Sequence, residues 1–270
     1  MLKCPLIRQD ELRCGLGYGK RDGCNIGGRL SCVLFFGGIK MKKIKLYEEP
    51  TYVLATVLLA LSVAMIAAAD FGVSMIVGTA YIVSLKVSFL TFGTAEYIVQ
   101  GLLFIAFCII MKKVKLTYFF SFFTCLFYGF VLDLWRSAVP ALNPSVTAPG
   151  SFSMPVRITL FVLGSLLTSA SVALFFKVYL CPQVYDFFVK TVSDKFSVPL
   201  PKFKTFFDLS CLLIALVLSL LFFGGIRGIG AGTVIMAFLN GTIIGLFGKL
   251  YDKIFVFEPI FKKAAKMFEQ

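Results

Sequence analysis

Residues 51–69 read Thr-Tyr-Val-Leu-Ala-Thr-Val-Leu-Leu-Ala-Leu-Ser-Val-Ala-Met-Ile-Ala-Ala-Ala, without one charged side chain. A bilayer core of about 30 Å takes roughly 20 apolar helical residues to cross, so this stretch predicts a membrane span. Five further stretches meet or nearly meet that length: Thr94–Met111, Thr117–Leu134, Val156–Phe176, Thr205–Phe223 and Ile229–Gly248. The middles of all six lack Lys, Arg, Asp and Glu. Lipid offers the backbone no hydrogen bonds, so each is predicted helical; a closed barrel would show an alternation that these runs lack. Composition agrees. Of 270 residues 59% are hydrophobic, 15% charged and 31 are Phe, with a mean hydropathy of +0.90. That excludes a soluble globule, a disordered chain and a collagen-like repeat.

The net charge of +13 concerns topology and not nucleic acid. With the residues before Thr51 on the cytoplasmic side, the inner segments collect Lys42, Lys43 and Lys45, then Lys112, Lys113 and Lys115. They also hold Lys177, Lys190, Lys195, Lys202 and Lys204, and finally Lys249, Lys253, Lys262, Lys263 and Lys266. The outer segments hold Lys86, Arg136, Arg157 and Arg227. Sixteen against four is the asymmetry of a cytoplasmic face, and it predicts both ends inside.

Two shorter segments interrupt the spans. Met75–Leu90 is apolar but contains Lys86 and lies between Gly72 and Gly93; making it a full span would place the Lys112–Lys115 cluster outside. It is predicted as a short broken or re-entrant helix. Pro182–Phe196 is its counterpart, with Val184, Phe187, Phe188 and Val192 on one side and Asp186, Lys190 and Asp194 on others. Trp135–Pro155, with Pro140, Pro144, Pro149 and Gly150, reads as an outer linker.

The chain also matches itself at an offset of 112 residues. Glu96 falls on Asp208, Gly129 on Gly241, and Thr117–Asp133 on Ile229–Gly245 without a gap. With a small indel, Gly72–Met75 falls opposite Tyr179–Pro182. Each half then reads span, short helix, span, span. Three spans is odd, so the halves enter the membrane with opposite sense, the plan of many secondary transporters. The fold predicted is all-α, with six transmembrane helices in two inverted three-helix repeats. The divisions are 1–40 as an N-terminal extension, 41–134 as the first repeat, 135–155 as the linker, 156–250 as the second repeat and 251–270 as a basic cytoplasmic tail.

Ala69-Asp70-Phe71-Gly72-Val73-Ser74, Phe207-Asp208 and Gly228-Ile229-Gly230-Ala231-Gly232-Thr233 resemble the YitT/YczE-type bacterial membrane proteins, over about Lys42 to Gly248. Members typically carry Pro after the Gly-x-Ser of the first half, where this chain has Met75. The resemblance implies a multi-pass protein of the bacterial inner membrane and names no substrate.

The first forty residues differ from the rest. They hold seven Lys/Arg and four of the eight Cys, and their one apolar run, Cys32–Phe36, is too short for a signal peptide. Cys4, Cys14, Cys24 and Cys32 form no CxxC pair, so no zinc site is expected. Met41-Lys42-Lys43 looks like a bacterial start, and Gly37-Gly38-Ile39-Lys40 is encodable as a ribosome-binding sequence with a fitting spacer. Met41 is therefore expected to be the initiator and residues 1–40 an upstream translation product.

Ionisable groups inside a membrane are costly and each needs a reason. Glu96 and Asp208 lie at matching places in the two halves. Either they complement helix dipoles from the first turns, or they form a pair of gate or coupling-ion carboxylates. Asp70 either caps a helix or faces a cavity floored by Gly72 and Ser74. Hydrogen bonds across helices would explain Gln100, Tyr128, Thr124 and Asn240, and Asn240, beside Gly241 and opposite Tyr128 in the self-match, is the most suggestive of a pathway. Asp133 and Arg136 stand three apart, a spacing for a local ion pair. The Gly224–Thr233 stretch lacks the preceding strand and following Lys-Ser/Thr of a phosphate loop. Its start at Gly230, beside Arg227, either packs closely or holds an anion.

With no His, no clustered Cys and no Gly-x-Ser-x-Gly, no catalytic set, metal or cofactor is expected. The reading is a secondary transporter of a small molecule or ion, with Asp70, Gly72, Ser74, Glu96, Gln100, Asp208, Arg227, Gly230 and Asn240 as pathway candidates. Its expected partners are the lipid bilayer and that substrate. The alternative is a non-transporting scaffold or regulatory subunit that docks a cytoplasmic protein.

Overall fold

The computed structural model describes residues 44–112, 116–143, 146–148, 151–198, 200–262 and 265. The expectations on residues 1–40 and on Met41 lie outside them. Among the described residues there are eight α-helices: α1 Glu48–Ala69, α2 Met75–Lys86, α3 Phe92–Met111, α4 Leu116–Ala138, α5 Met154–Phe175, α6 Val184–Phe196, α7 Leu200–Phe223 and α8 Ala231–Ile254. Six of them are long and apolar enough to cross a membrane, and the chain is an all-α multi-pass membrane protein. The other two, α2 and α6, are the short segments.

Most boundaries fall within a few residues of the hydropathy limits. The exceptions run past them into polar residues. α4 continues through Trp135, Arg136 and Ser137, and α8 continues to Ile254, carrying Lys249, Asp252 and Lys253. A helix need not stop where lipid does, because long charged side chains reach water from its last turns. Lys177 donates to both oxygens of Asp252 at 2.7 Å and ties that extension to the end of α5.

The hydropathy gave no sign of one element. Ile44–Tyr47 (β1) pairs in parallel with Phe255–Glu258 (β2), Ile44 opposite Phe255 and Tyr47 opposite Glu258. β2 lies within the stretch read as a basic tail. A two-stranded pair is marginal alone. Here Phe257 is buried, Lys45 pairs with Glu258 at 3.1 Å, and Glu49 of α1 accepts from the N–H groups of Ile260 and Phe261. The beginning of α1 and the end of α8 therefore meet on one face of the bundle, the terminal face. Tyr179 joins them there: its N–H donates to Glu48 at 2.7 Å and its hydroxyl to Glu49 at 3.0 Å. Burial, reinforced by the Glu49 carboxylate, holds that phenol above its usual range.

α1 and α5 cross at the centre, with α4 against α1 and α8 against α5. Their contact is drawn tight at Gly164, where a Cβ would lie 2.8 Å from Ile66. The short helices pack on long helices from the other end of the sequence, α2 on α7 and α6 on α3. At the face opposite the strands, Arg157 of α5 donates to the carbonyls of Ala69 and Asp70 at 2.8 and 2.9 Å, closing the end of α1. Asp133 is engaged by α3 and not by a local pair: it accepts from the Gly93 N–H at 2.8 Å and from the Thr91 hydroxyl, while Arg136 lies over the Phe92 ring. The Gly93 N–H at the helix start and the Thr91 hydroxyl hold the carboxylate in place of the half-buried guanidinium a turn away.

Candidate functional site

Both short helices begin inside the bundle, and local chemistry explains how. The carbonyls of Cys181 and Pro182, just ahead of α6, accept from Thr124 and Ser121 of α4 at 3.0 and 2.7 Å. Those hydroxyls satisfy non-helical backbone that lipid could not. Gln183 then lies beside Gln100, with Gln100 Nε2 donating to Gln183 Oε1 at 3.4 Å. Gln100 is about eleven residues, or roughly 16 Å, from the Met111 end of α3, near half the thickness of a bilayer core. From there α6 returns to the terminal face, where Lys195 donates to the carbonyl of Ile110.

The break before α2 is satisfied by the start of α8. The Val73 N–H donates to the Gly228 carbonyl at 3.0 Å, Gly232 N–H to Phe71 at 2.8 Å, and the Thr233 hydroxyl to the Val73 carbonyl at 2.7 Å. The two chains cross so closely that a Cβ on Gly72, at φ +96°, would lie 2.4 Å from the Gly230 nitrogen. Only glycine fits there. The glycines at 228–232 thus serve a backbone crossing.

Between these two breaks lies a cavity of about 530 Å³, within the range of small-molecule sites. Its wall includes Ser74–Val77 at the start of α2 and Gln183, Tyr185 and Asp186 around the start of α6. Asp208 of α7, Asn240 of α8, Tyr128 of α4 and Thr168 of α5 add polar groups among mostly aliphatic neighbours. Two of these are oriented by the central helices: Asn240 Oδ1 accepts from Ser169 at 2.7 Å, and Thr168 donates to Ser62 at 2.8 Å.

Behind Tyr185 and Gln183 sits a fully buried cluster. Glu96 Oε2 accepts from Gln100 Nε2 at 3.0 Å and from the Tyr185 hydroxyl at 3.3 Å. Glu96 Oε1 and Gln100 Oε1 have no hydrogen-bond partner among the described residues. A buried carboxyl with one idle oxygen is costly to maintain, which marks the cluster as a place where a proton or cation could reside.

Of the residues singled out from the sequence, the structure brings Ser74, Tyr128, Asp208 and Asn240 together on the cavity wall, with Glu96 and Gln100 one layer behind. The rest lie elsewhere. Asp70 is an exposed left-handed cap at the end of α1, with one oxygen 3.7 Å from Arg157. Gly72 and Gly230 form the crossing, and Arg227 is exposed with its guanidinium over the Phe223 ring. Sequence reasoning passed over Gln183, Tyr185 and Asp186 as pathway residues. Setting the start of α6 opposite Ser74 in the self-match would have pointed to them.

The sequence profile of a family described as "Family of unknown function (DUF6198)" matches residues 46–249, well over half of the chain, and the chain belongs to that family. No curated protein and no solved structure matches it.

Proposed function

We propose that this member of the DUF6198 family is a secondary transporter that carries a small molecule or ion across the bacterial inner membrane by alternating access. The observation that carries this reading is the cavity at mid-depth, walled by the starts of two broken helices, one from each half of the chain. A protein that served only to dock a partner would have no use for such a space.

The pairing of elements supports two inverted repeats. α2 rests on α7 as α6 rests on α3, and α4 meets α1 as α8 meets α5. Lys86, the last residue of α2, donates to the carbonyl of Phe222 at 3.0 Å, and Lys195 near the end of α6 donates to that of Ile110. Phe222 and Ile110 are each the penultimate residue of their long helix and stand 112 positions apart, the offset of the self-match. The short helices correspond as Met75 to Val184 and Lys86 to Lys195, a register two residues beyond that suggested by sequence alone.

Sidedness has its own support. Lys45, Lys177 and Lys195 belong to the terminal face and Lys86 and Arg157 to the opposite one, so the former is the cytoplasmic side. The resemblance to YitT/YczE-type proteins agrees with a bacterial inner membrane.

Glu96 and Asp208 are the coupling pair. Glu96 is closed off behind Tyr185 while Asp208 faces the cavity, an inequality that alternating access would exchange between them. The test is uptake by vesicles reconstituted with the full chain under an imposed pH or sodium gradient, with candidate solutes chosen by thermal stabilisation in detergent. Glu96→Gln and Asp208→Asn are each expected to abolish gradient-driven uptake while leaving the melting temperature near that of the parent. Unchanged uptake in both variants would remove the pair from the mechanism.

A further inference from the structure

We infer that the buried Glu96 cluster is a proton site: the carboxyl stands neutral inside the bundle, and H⁺ is the ion coupled to transport. The inference deepens the transport reading and rests on it for the coupling role, whereas the proton itself is measured without transport.

Glu96 is fully buried, and so is Gln100 one turn further along α3. Gln100 Nε2 donates to Glu96 Oε2 at 3.0 Å, and the Tyr185 hydroxyl donates to the same oxygen at 3.3 Å. The titratable groups around the carboxyl are Tyr185 of α6 with Cys125 and Tyr128 of α4, and Cys211 of α7 lies beyond Tyr185. Thiols and phenols are uncharged at neutral pH in their ordinary state. Among the described residues, α2 and the other elements packed on α3 bring no Lys or Arg to act on Glu96. An ionised carboxylate there would have neither water nor a countercharge, so the neutral acid is the state of lower energy.

The idle oxygens agree. Glu96 Oε1 and Gln100 Oε1 are both acceptors, and neither has a donor among the described residues. Ionised, Glu96 can serve neither. Protonated on Oε1, it becomes a donor, and the Gln100 amide that already donates to Oε2 has its own oxygen free to accept. A carboxylic acid and a primary amide satisfy each other in that reciprocal way. A metal cation is poorly served by the same atoms. It needs several oxygens at once, which transporters of this plan draw from unwound backbone carbonyls. The carbonyls of Cys181 and Pro182, the unwound stretch beside the cluster, already accept from Thr124 and Ser121. Among the described residues no group of three His, Cys, Asp or Glu could hold a metal ion. A proton asks for one oxygen.

The start of α6 controls access. Tyr185 and Gln183 line the cavity and also touch Glu96 and Gln100, so they stand between the acid and the open space. When that segment shifts, the proton passes from Glu96 to water and leaves a carboxylate; the reverse step loads the site.

The experiment is infrared spectroscopy of the purified full chain in nonionic detergent at neutral pH, with Glu96→Gln subtracted from the parent. A neutral carboxylic acid has a C=O stretch distinct from amide and carboxylate bands. The difference should contain one such band, lost as pH rises while a carboxylate band grows. Sodium chloride should leave it as choline chloride does at the same pH. Tyr185→Phe and Gln100→Leu each remove a donor to Oε2 and should move the band to higher frequency, which a merely structural role would not do. In thermal melts the parent should lose stability relative to Glu96→Gln as pH rises, because the unfolded chain sheds the proton that the folded chain keeps. Should Glu96→Gln fail to fold, the pH titration and the two donor variants read the same band in its absence. No neutral-acid band at Glu96, its loss on adding sodium, or an unmoved band in both donor variants would each overturn the inference. A proton site in a protein without gradient-driven uptake would overturn the transport reading and leave the site standing. Sodium-driven uptake by a protein that lacks the acid band would do the reverse.

Discussion

α3 packs against α4 along its length, whereas α7 and α8, their counterparts in chain order, barely meet among the described residues. In the first pair a Cβ on Gly93 would lie 2.1 Å from the carbonyl oxygen of Gly129, and one on Gly129 would lie 2.3 Å from the Tyr97 ring. Gly241 occupies the place of Gly129 in the self-match and meets nothing within 4 Å. The same difference shows in burial: 22% of the α3 span and 44% of the α4 span are inside the protein, against 11% for α7 and 17% for α8. One half is closed around its glycines, and the other is opened, with the cavity in the opening. The lesson is that a match between two stretches of sequence does not impose a shared packing, and the proposed transporter reading needs that freedom.

The sharpest way to break this comparison is by adding one methyl group to each half. Gly93→Ala drives a Cβ into backbone and should cost about 2–3 kcal/mol or prevent folding. Gly241→Ala should instead stabilise α8 by up to about 1 kcal/mol, because alanine is the better helix former. Thermal melts in detergent check both, and shifts of the same sign would mean that the halves are packed alike. Next in size is Arg157→Ala, which strips two donors from the end of α1 and should lower stability by about 1–3 kcal/mol. Lys86→Met and Lys195→Met should each cost about 0.5–1 kcal/mol, and similar losses would reinforce the equivalence of the short helices. The smallest change is expected for Asp70→Asn. Its ion pair is long and half-exposed, asparagine tolerates a left-handed cap, and the shift should stay within about 0.5 kcal/mol. A loss as large as that of Arg157→Ala would mean that the carboxylate, and not the backbone carbonyls, engages the guanidinium.

Much of the fold was legible because a membrane makes length and hydrophobicity decisive. The spans announce themselves, and α2 and α6 do so by Lys86, the flanking glycines and Pro182. The site was legible only in part. Ser74, Asp208 and Asn240 were found because polar groups in apolar runs are rare. Gln183 and Tyr185 were missed because a residue beside a helix break looks like a loop residue until its depth is known. Asp133 misled because residues three apart suggest a local pair, while the stronger demand came from the free N–H groups at the start of α3.

Number of spans, the extent of their apolar middles and their charge bias follow from the amino-acid sequence by itself, since each depends on the transfer of local groups between lipid and water. The tertiary structure alone decided which helices touch, that β1 would find β2 across more than two hundred residues, and that α7 would stand apart from α8. Those outcomes depend on close approach between distant segments, on glycines whose missing side chains matter only where another backbone arrives, and no local pattern encodes the arrival.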